Sequence, residues 1–287
     1  MSKLAKGWKR IIMCGDQHAG HKIGLTPPEF QYKSATGTEK FFHTHSRKKI
    51  QTIQKECWNW WKKTVQEKGP YHLAIVNGDC IDGTGLRSEG TELLTADRDE
   101  QVGIAQTGLE LIETDNWSFT FGTAYHTGVG EDFEIKIAEY FNDKPRSKAE
   151  IGAHQWPDVN GWVFDVKHFV GSSSVPYGRS TAPDKEDTWN ALWNIDDEMQ
   201  PRAQIIVRSH VHYYKHTDYV RGGRTHHVAT LPALQAMGSK FGARKCSGRV
   251  DFGFCTIDIP PRNSKEQPTW QPHVAEITGQ RAHTSQF

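Results

Sequence analysis

Residues 10–18, Arg10-Ile11-Ile12-Met13-Cys14-Gly15-Asp16-Gln17-His18, decide how the rest of the chain is read. A basic residue gives way to four apolar ones, as in a short strand covered on both faces, and the run stops at a glycine. Directly behind it stand a carboxylate and an imidazole two residues apart, so in extended backbone their side chains point the same way. The same grammar recurs along the chain. The apolar run 72–76 closes on Asn77-Gly78-Asp79-Cys80-Ile81-Asp82, and 117–121 closes on Gly122-Thr123-Ala124-Tyr125-His126. A strand over 162–170 carries His168 near its end, and 203–208 runs into Ser209-His210-Val211-His212. Open α/β sheets bind ligands at the carboxyl ends of their strands. Five strand ends therefore deliver carboxylates and imidazoles to one edge.

Between these strands the spacing turns helical. Ile50, Ile53, Cys57, Trp61 and Val65 mark a helix over 46–68, stopped by Gly69-Pro70. Val102, Ala105, Leu109 and Ile112 mark a second, and Phe133, Ile137, Tyr140 and Phe141 a third over 131–142. Trp189, Leu192, Trp193 and Met199 mark a fourth over 184–200, ended by Pro201. Trp58, Trp60, Trp61, Trp189 and Trp193 all sit at core-like spacing and are expected to pack inside. Residues 19–45 read as a long Gly/Pro/Ser/Thr-rich loop. Beyond residue 212 the texture is hairpins: 213–220, a turn at Gly222-Gly223, then 224–230. A strand follows over 250–259, and a short last one over 274–277 starts only after Pro272, which has no place inside a central strand. Strands alternating with helices, then a run of β, predict an α/β fold: a layered α/β/β/α sandwich of two mixed sheets flanked by helices. No linker is visible, so 1–287 reads as a single domain, with 1–9 a basic extension and 279–287 a flexible tail.

The composition bounds the function. At 287 residues the chain has room for a sizeable core. Its 35 basic and 34 acidic side chains leave +1, which excludes a globally basic nucleic-acid binder and an acidic disordered tail. Mean hydropathy is −0.68, and no apolar run approaches the roughly 18–20 residues of a membrane span. The run Ile11-Ile12-Met13-Cys14 is too short for a signal peptide. Five cysteines without a CxxC pair read as reduced thiols, which gives a cytoplasmic expectation and no membrane partner. The 15 histidines are the informative count.

Two carboxylates and four or five imidazoles in one place are costly to desolvate as bare groups. Divalent cations resolve that cost, and mixed oxygen and nitrogen donors suit Mn, Fe, Zn or similar metals. The arrangement resembles the calcineurin-like metallophosphoesterases, whose pattern is DxH, GDxxD, GNH followed by an acidic residue, H, and GHxH. The resemblance covers roughly residues 10–230, with the motifs in order. It implies two divalent metal ions, Mn leading and Fe, Zn, Ni or Mg also compatible. By position, Asp16 and His18 would hold the first metal, Asp79 would bridge both, His168 and His210 would hold the second, and His212 would return to the first. Asp82 would orient its neighbours. The implied activity is binuclear phosphoesterase hydrolysis by a hydroxide shared between the metals, with a phosphodiesterase or nuclease as the leading form. The expected partners are a phosphate-ester substrate and, as a candidate, nucleic acid; the pattern specifies no oligomeric state.

Two positions depart from the pattern. Ser209 stands in place of its Gly, and GTAYH lacks the Asn that precedes the His of the third motif, with Tyr125 in that place. Either His126 is the general acid and the second metal lacks a ligand, or His126 is itself the ligand. Ligation restores the donor count and is preferred. It tilts the site toward diesters, because a monoester with a poor leaving group needs proton donation more than an activated diester does. A phosphomonoesterase with His126 as acid and a non-catalytic, metal-stabilised phosphate- or protein-binding scaffold are the alternatives. Gly83 follows Asp82 where the family's protein phosphatases carry Arg, which lowers that reading. Ser172 and Arg179 beyond His168, and Lys240 and Arg244 in the basic stretch 239–249 with Lys245 and Arg249, are candidate substrate contacts. His43-x-His45 lies in a loop and is not expected to bind metal. His21 stands just behind the first motif; His72 reads as structural, His226 and His227 as surface or packing residues, Cys80 as a small buried side chain, and Asp132, Asp158 and Asp165 as solvated.

Overall fold

The computed structural model describes residues 4–28, 30–33, 39–41, 48–128, 132–196, 199–238, 248–281 and 284. Along the chain run β1 (Lys9–Cys14), β2 (Gln31–Lys33), β3 (Glu39–Phe41), α1 (Lys48–Lys68), β4 (Leu73–Asn77), α2 (Arg98–Leu109), β5 (Asn116–Thr120), α3 (Ala124–Thr127) and α4 (Asp132–Asn142). Then come β6 (Lys148–Gly152), β7 (Asp158–Val159), β8 (Trp162–Val166), α5 (Thr181–Asp196), β9 (Ile205–Arg208), β10 (Lys215–Arg221), β11 (Arg224–Thr230), β12 (Gly253–Ile259) and β13 (Thr269–Val274).

The strands form two mixed sheets, in the orders β13-β12-β1-β4-β5-β6 and β10-β11-β9-β8-β7, with β2 and β3 as a separate hairpin. β1, β4, β5 and β6 run parallel, as do β8, β9 and β11. Alternation along β1 sets the layers. Ile11 and Met13 meet Ile75, Phe164, Val166, Ile205, Val207 and Ile257 between the sheets. Ile12 and Cys14 belong instead to the core under the helices, with Ile53, Trp61, Ile104 and Phe141. The buried stripe of α1 runs through Ile50, Ile53, Cys57, Trp58, Trp61 and Val65, and Trp61 Nε1 donates to Gly108 O at 2.9 Å, so this large ring leaves no polar atom stranded. Asp97 caps α2 by accepting from the Asp99 and Glu100 amides. The layered α/β/β/α sandwich is thus the observed architecture. Its consequence is positional: the carboxyl ends of β1, β4, β5, β8 and β9 gather at one edge.

Several local expectations are corrected. The last strand is β13, with Pro272 inside it opposite Cys255; β13 is the edge of its sheet, where a missing N–H costs no ladder bond. Trp189 and Trp193 are 56% and 44% exposed rather than packed inside, because α5 covers only a small cluster of Ala203, Ile206 and Val228. Asp165 is buried, not solvated: it pairs with Arg208 and His154, each at 2.8 Å. Asp158 stays at the surface, 3.4 Å from Arg262. Residues 19–45 contain the β2–β3 hairpin, and β6 and β7 were not foreseen. Lys9 already belongs to β1. At the other end, 278–280 form a 3₁₀ turn, with the Gly279 amide on Glu56 Oε2 at 3.0 Å and the Met237 amide on Gln280 Oε1 at 2.6 Å, so the chain is still tied down past 279. His43, His45, Lys240, Arg244 and Lys245 lie outside the described residues, as does the side chain of Asp132. Among the described residues no helix is long and apolar enough to cross a membrane.

Candidate metal centre

Eight non-glycine residues among those described have positive φ, and five of them are Asp16, His18, Asp79, His210 and His212, with φ between 46° and 71°. Left-handed backbone is unfavourable for such residues and persists only where the surroundings enforce it. Here the loops enforce it on one another. The Asp16 amide donates to Gly78 O at 2.9 Å, the His18 amide to Asp79 O at 3.0 Å, and the His210 amide to Asp16 Oδ2 at 3.0 Å. Two glycines clear the space. A Cβ on Gly78, itself at φ 72°, would lie 2.6 Å from His168 Nδ1, and one on Gly122 would lie 2.1 Å from Asp79 Oδ1.

Three overlapping donor groups result: Asp16, His18 and His212; His18, Asp79 and His126; Asp79, His168 and His210, the ligand atoms in each lying within 4.8 Å of one another. His212 Nε2 is 3.2 Å from Asp16 Oδ1 and 3.1 Å from His18 Nε2, and His168 Nε2 is 3.0 Å from Asp79 Oδ2. The tautomers are fixed from behind. His18 Nδ1 donates to Asp82 Oδ1 at 2.9 Å, His126 Nδ1 to Asp82 O at 2.9 Å, and His168 Nδ1 to Asn77 O at 2.7 Å. Each acceptor is an oxygen without a proton to offer, so in the neutral ring Nε2 carries the lone pair and faces inward.

Lone pairs and carboxylates at 3 Å repel unless a positive charge lies among them. Without a cation, protons supply it. Burial alone would lower His168, but the Asp79 carboxylate overrides it and pushes the ring up to about 10. His18 is raised against its burial by Asp82. Asp16 and Asp79 are held below the usual carboxylate range, again against burial, by His212 and His168 respectively. His126 and His210 move down, first through burial and then through the neighbouring imidazoles His18 and His168. Asp16 Oδ1 and His168 Nε2 are buried without a hydrogen-bond partner among the described residues. Oxygen and nitrogen donors in groups of three, two of their atoms orphaned and the rings of His18, His126 and His168 set for ligation, fit a divalent transition metal.

The expected donors Asp16, His18, Asp79, His168, His210 and His212 are therefore brought together, and Asp82 stands behind His18 and His126. His126 is placed differently from its expected position. It groups with His18 and Asp79, not with His168 and His210. The residue facing Asp79 after β5 is Thr123, whose amide and Oγ1 reach Asp79 Oδ1 at 2.7 and 3.2 Å. Tyr125 turns away, its hydroxyl accepting the Arg87 amide at 2.5 Å. Counting forward from the strand end, rather than backward from the histidine, points to Thr123. The Ser209 departure has a use: its Oγ accepts from Asn77 Nδ2 at 2.9 Å, bracing the residue whose carbonyl holds His168. Glu134 was not singled out from the sequence. Its buried carboxylate accepts the Cys80 amide at 2.9 Å and the Gly122 amide at 2.7 Å, tying the β4 and β5 loops together, and burial with the Asp79 charge pushes it up to about 7.

The donors open on a cavity of about 650 Å³ that Ser172, Arg179, Arg87, Tyr125, Tyr213 and His21 also line. Burial drives the His21 ring down to about 4.

Three solved structures are similar in shape. Vps29 of Entamoeba histolytica, complexed with zinc, has a TM-score of 0.37 and 7% identity over 92% of this chain and 98% of that one. An archaeal phosphodiesterase has a TM-score of 0.42 and 10% identity over 93% and 99%. The solution structure of the Thermotoga maritima protein TM1076 has a TM-score of 0.37 and 13% identity over 93% and 99%. No family model matches the chain, and no curated protein matches it in sequence. Likenesses this distant decide nothing about chemistry, which has to be read from the donors.

Proposed function

We propose that the chain is a binuclear metal-dependent phosphoesterase of the calcineurin-like class, acting on phosphodiesters. The observation that carries this is the set of overlapping donor groups whose imidazoles are locked, Nε2 inward, by Asp82 and Asn77. Asp16, His18 and His212 would hold one cation and Asp79, His168 and His210 the other. Bound there, divalent ions (manganese first among Mn, Fe, Zn, Ni and Mg) withdraw charge from phosphoryl oxygens and acidify water for attack on phosphorus.

The protein's own part is to fix these groups. Thr123 pins Asp79, Asp82 holds two rings at once, and Glu134 latches the loops that carry them. His126 gives its one proton of the neutral ring to Asp82 O, and its pKa is depressed, so at neutral pH Nε2 offers a lone pair and no proton. That supports ligation beside His18 and Asp79 over general-acid work, and with it a diester, since an activated diester needs proton donation less than a monoester with a poor leaving group does.

The test compares bis-p-nitrophenyl phosphate with p-nitrophenyl phosphate in added manganese, for the wild type and His210→Ala. Metal-dependent turnover, faster on the diester and at least 100-fold lower in the variant, is expected. Two bound metals with no turnover of either ester makes the protein a scaffold. A faster monoester returns His126 to the acid role.

A further inference from the structure

Two arginines in the cavity are mounted alike. The Arg87 guanidinium lies 4.9 Å from the centre of the Tyr125 ring, and that tyrosine's hydroxyl also accepts the Arg87 amide, so arginine and ring form one unit. The Arg179 guanidinium lies 4.4 Å from the centre of the Tyr213 ring. Stacking of this kind holds a guanidinium in place without neutralising it. Among the described residues neither arginine has a carboxylate partner, and Arg179 Nε is buried without a hydrogen bond. Arg249, which lines the same cavity, is by contrast neutralised by Asp251 at 2.7 Å.

The origin of the two pairs gives their positions meaning. Arg87 and Tyr125 follow β4 and β5 of the six-stranded sheet, whereas Arg179 and Tyr213 follow β8 and β9 of the five-stranded sheet. The donor groups are assembled from the ends of β1, β4, β5, β8 and β9, and both arms line the cavity they open on. A lone diester carries one negative charge and would leave both arms idle. A linear chain of phosphodiesters carries a charge on each side of the scissile one.

Apolar surface accompanies each arm. Leu86, next to Arg87, is 71% exposed, and Tyr177, two residues before Arg179, is 91% exposed; Phe169, packed on His210, is 55% exposed. An exposed ring such as Tyr177 beside an uncompensated cation suits a nucleobase beside its phosphate, and Leu86 offers apolar contact on the other arm. An exposed ring can stack on a base that is not already paired and stacked in a duplex, which favours a single strand.

We propose that the site takes a single strand of nucleic acid, with the phosphates flanking the scissile one gripped by Arg87 on one side and Arg179 on the other. This rests on the phosphodiesterase reading for its chemistry but not for its binding. The test measures fluorescence anisotropy of a labelled thymidine octamer, without catalytic metal, on the wild type, Arg87→Gln and Arg179→Gln, beside manganese-dependent turnover of the octamer and of bis-p-nitrophenyl phosphate. Each substitution is expected to weaken octamer binding about 5–20-fold and to lower the slope of log K against log salt by about 0.7. It should cut octamer turnover at least ten-fold more than turnover of the small diester.

Octamer binding indifferent to both substitutions overturns the proposal. So does a duplex of equal length bound as tightly, or tripolyphosphate competing as well as the octamer. Turnover of the small diester with no octamer binding overturns it while sparing the phosphodiesterase. Arginine-dependent octamer binding without turnover of either ester sustains the arms and removes the phosphodiesterase.

Discussion

His168 Nε2 lies 3.0 Å from Asp79 Oδ2 while its other nitrogen is committed to the Asn77 carbonyl. With the ring raised to about 10, it is protonated at pH 7 in the metal-free protein, and a cation must displace that proton to bind. Manganese binding near pH 7 should therefore release about one proton or more per chain, read as a buffer-dependent binding enthalpy. Binding with no proton release would show that His168 is already neutral.

Asp82 serves two imidazoles, through its carboxylate to His18 and its carbonyl to His126. Asp82→Ala removes only the first of these links. Metal affinity is expected to fall about 10–100-fold, as when a ligand histidine loses its supporting acceptor. Isothermal titration measures it, and unchanged affinity would mean that packing alone orients His18.

Glu134 is the acceptor for two buried amides. Glu134→Ala strands both, at about 1–3 kcal/mol per unsatisfied group, so a loss of roughly 2–6 kcal/mol is expected in urea unfolding. Glu134→Gln keeps one acceptor oxygen and should lose less. Metal affinity should drop in the same order, since the latch sets where Asp79 and Thr123 stand.

Two buried histidines outside the cavity lining contribute to the acid limit. His227 packs against the rings of His216 and Trp270, and His273 Nε2 meets Thr256 Oγ1 at 3.0 Å; burial above all depresses both to about 4. Unfolded, each ring takes a proton near 6.5, so the unfolded chain binds more protons between pH 6.5 and 4. Stability is present above that window and is lost as the pH falls through it, by about 1–3 kcal/mol per ring after allowing for partial solvent access. His273→Gln should flatten the pH dependence of urea midpoints between pH 6.5 and 4. An unchanged slope would exclude His273 as a source.

The donors were legible because a strand buried on both faces writes itself as an uninterrupted apolar run, and a loop residue with metal-binding chemistry stands out directly after it. Asp16, Asp79 and His210 all follow that rule. What stayed hidden lacks such a signature. β6 is a half-exposed edge strand and carries no apolar run. Asp165 looked solvated because its partner Arg208 is 43 residues away and only the β8–β9 pairing brings them together. Glu134 reads as an ordinary helix-surface carboxylate until α4 is packed beneath the β4 loop. The spacing of Trp189 and Trp193 is genuinely amphipathic, yet periodicity states only that a helix has an apolar face, not that anything covers it.

The left-handed conformation at His18, Asp79 and His212 makes these positions where glycine would be more comfortable than the residue present. A chain selected only for durability would relax them. Replacing the partly exposed His212 with glycine should yield a metal-free protein that withstands heat at least as well as its parent and does nothing. Discomfort at these few backbone joints is thus a record of selection for work, written in torsion angles rather than in side chains.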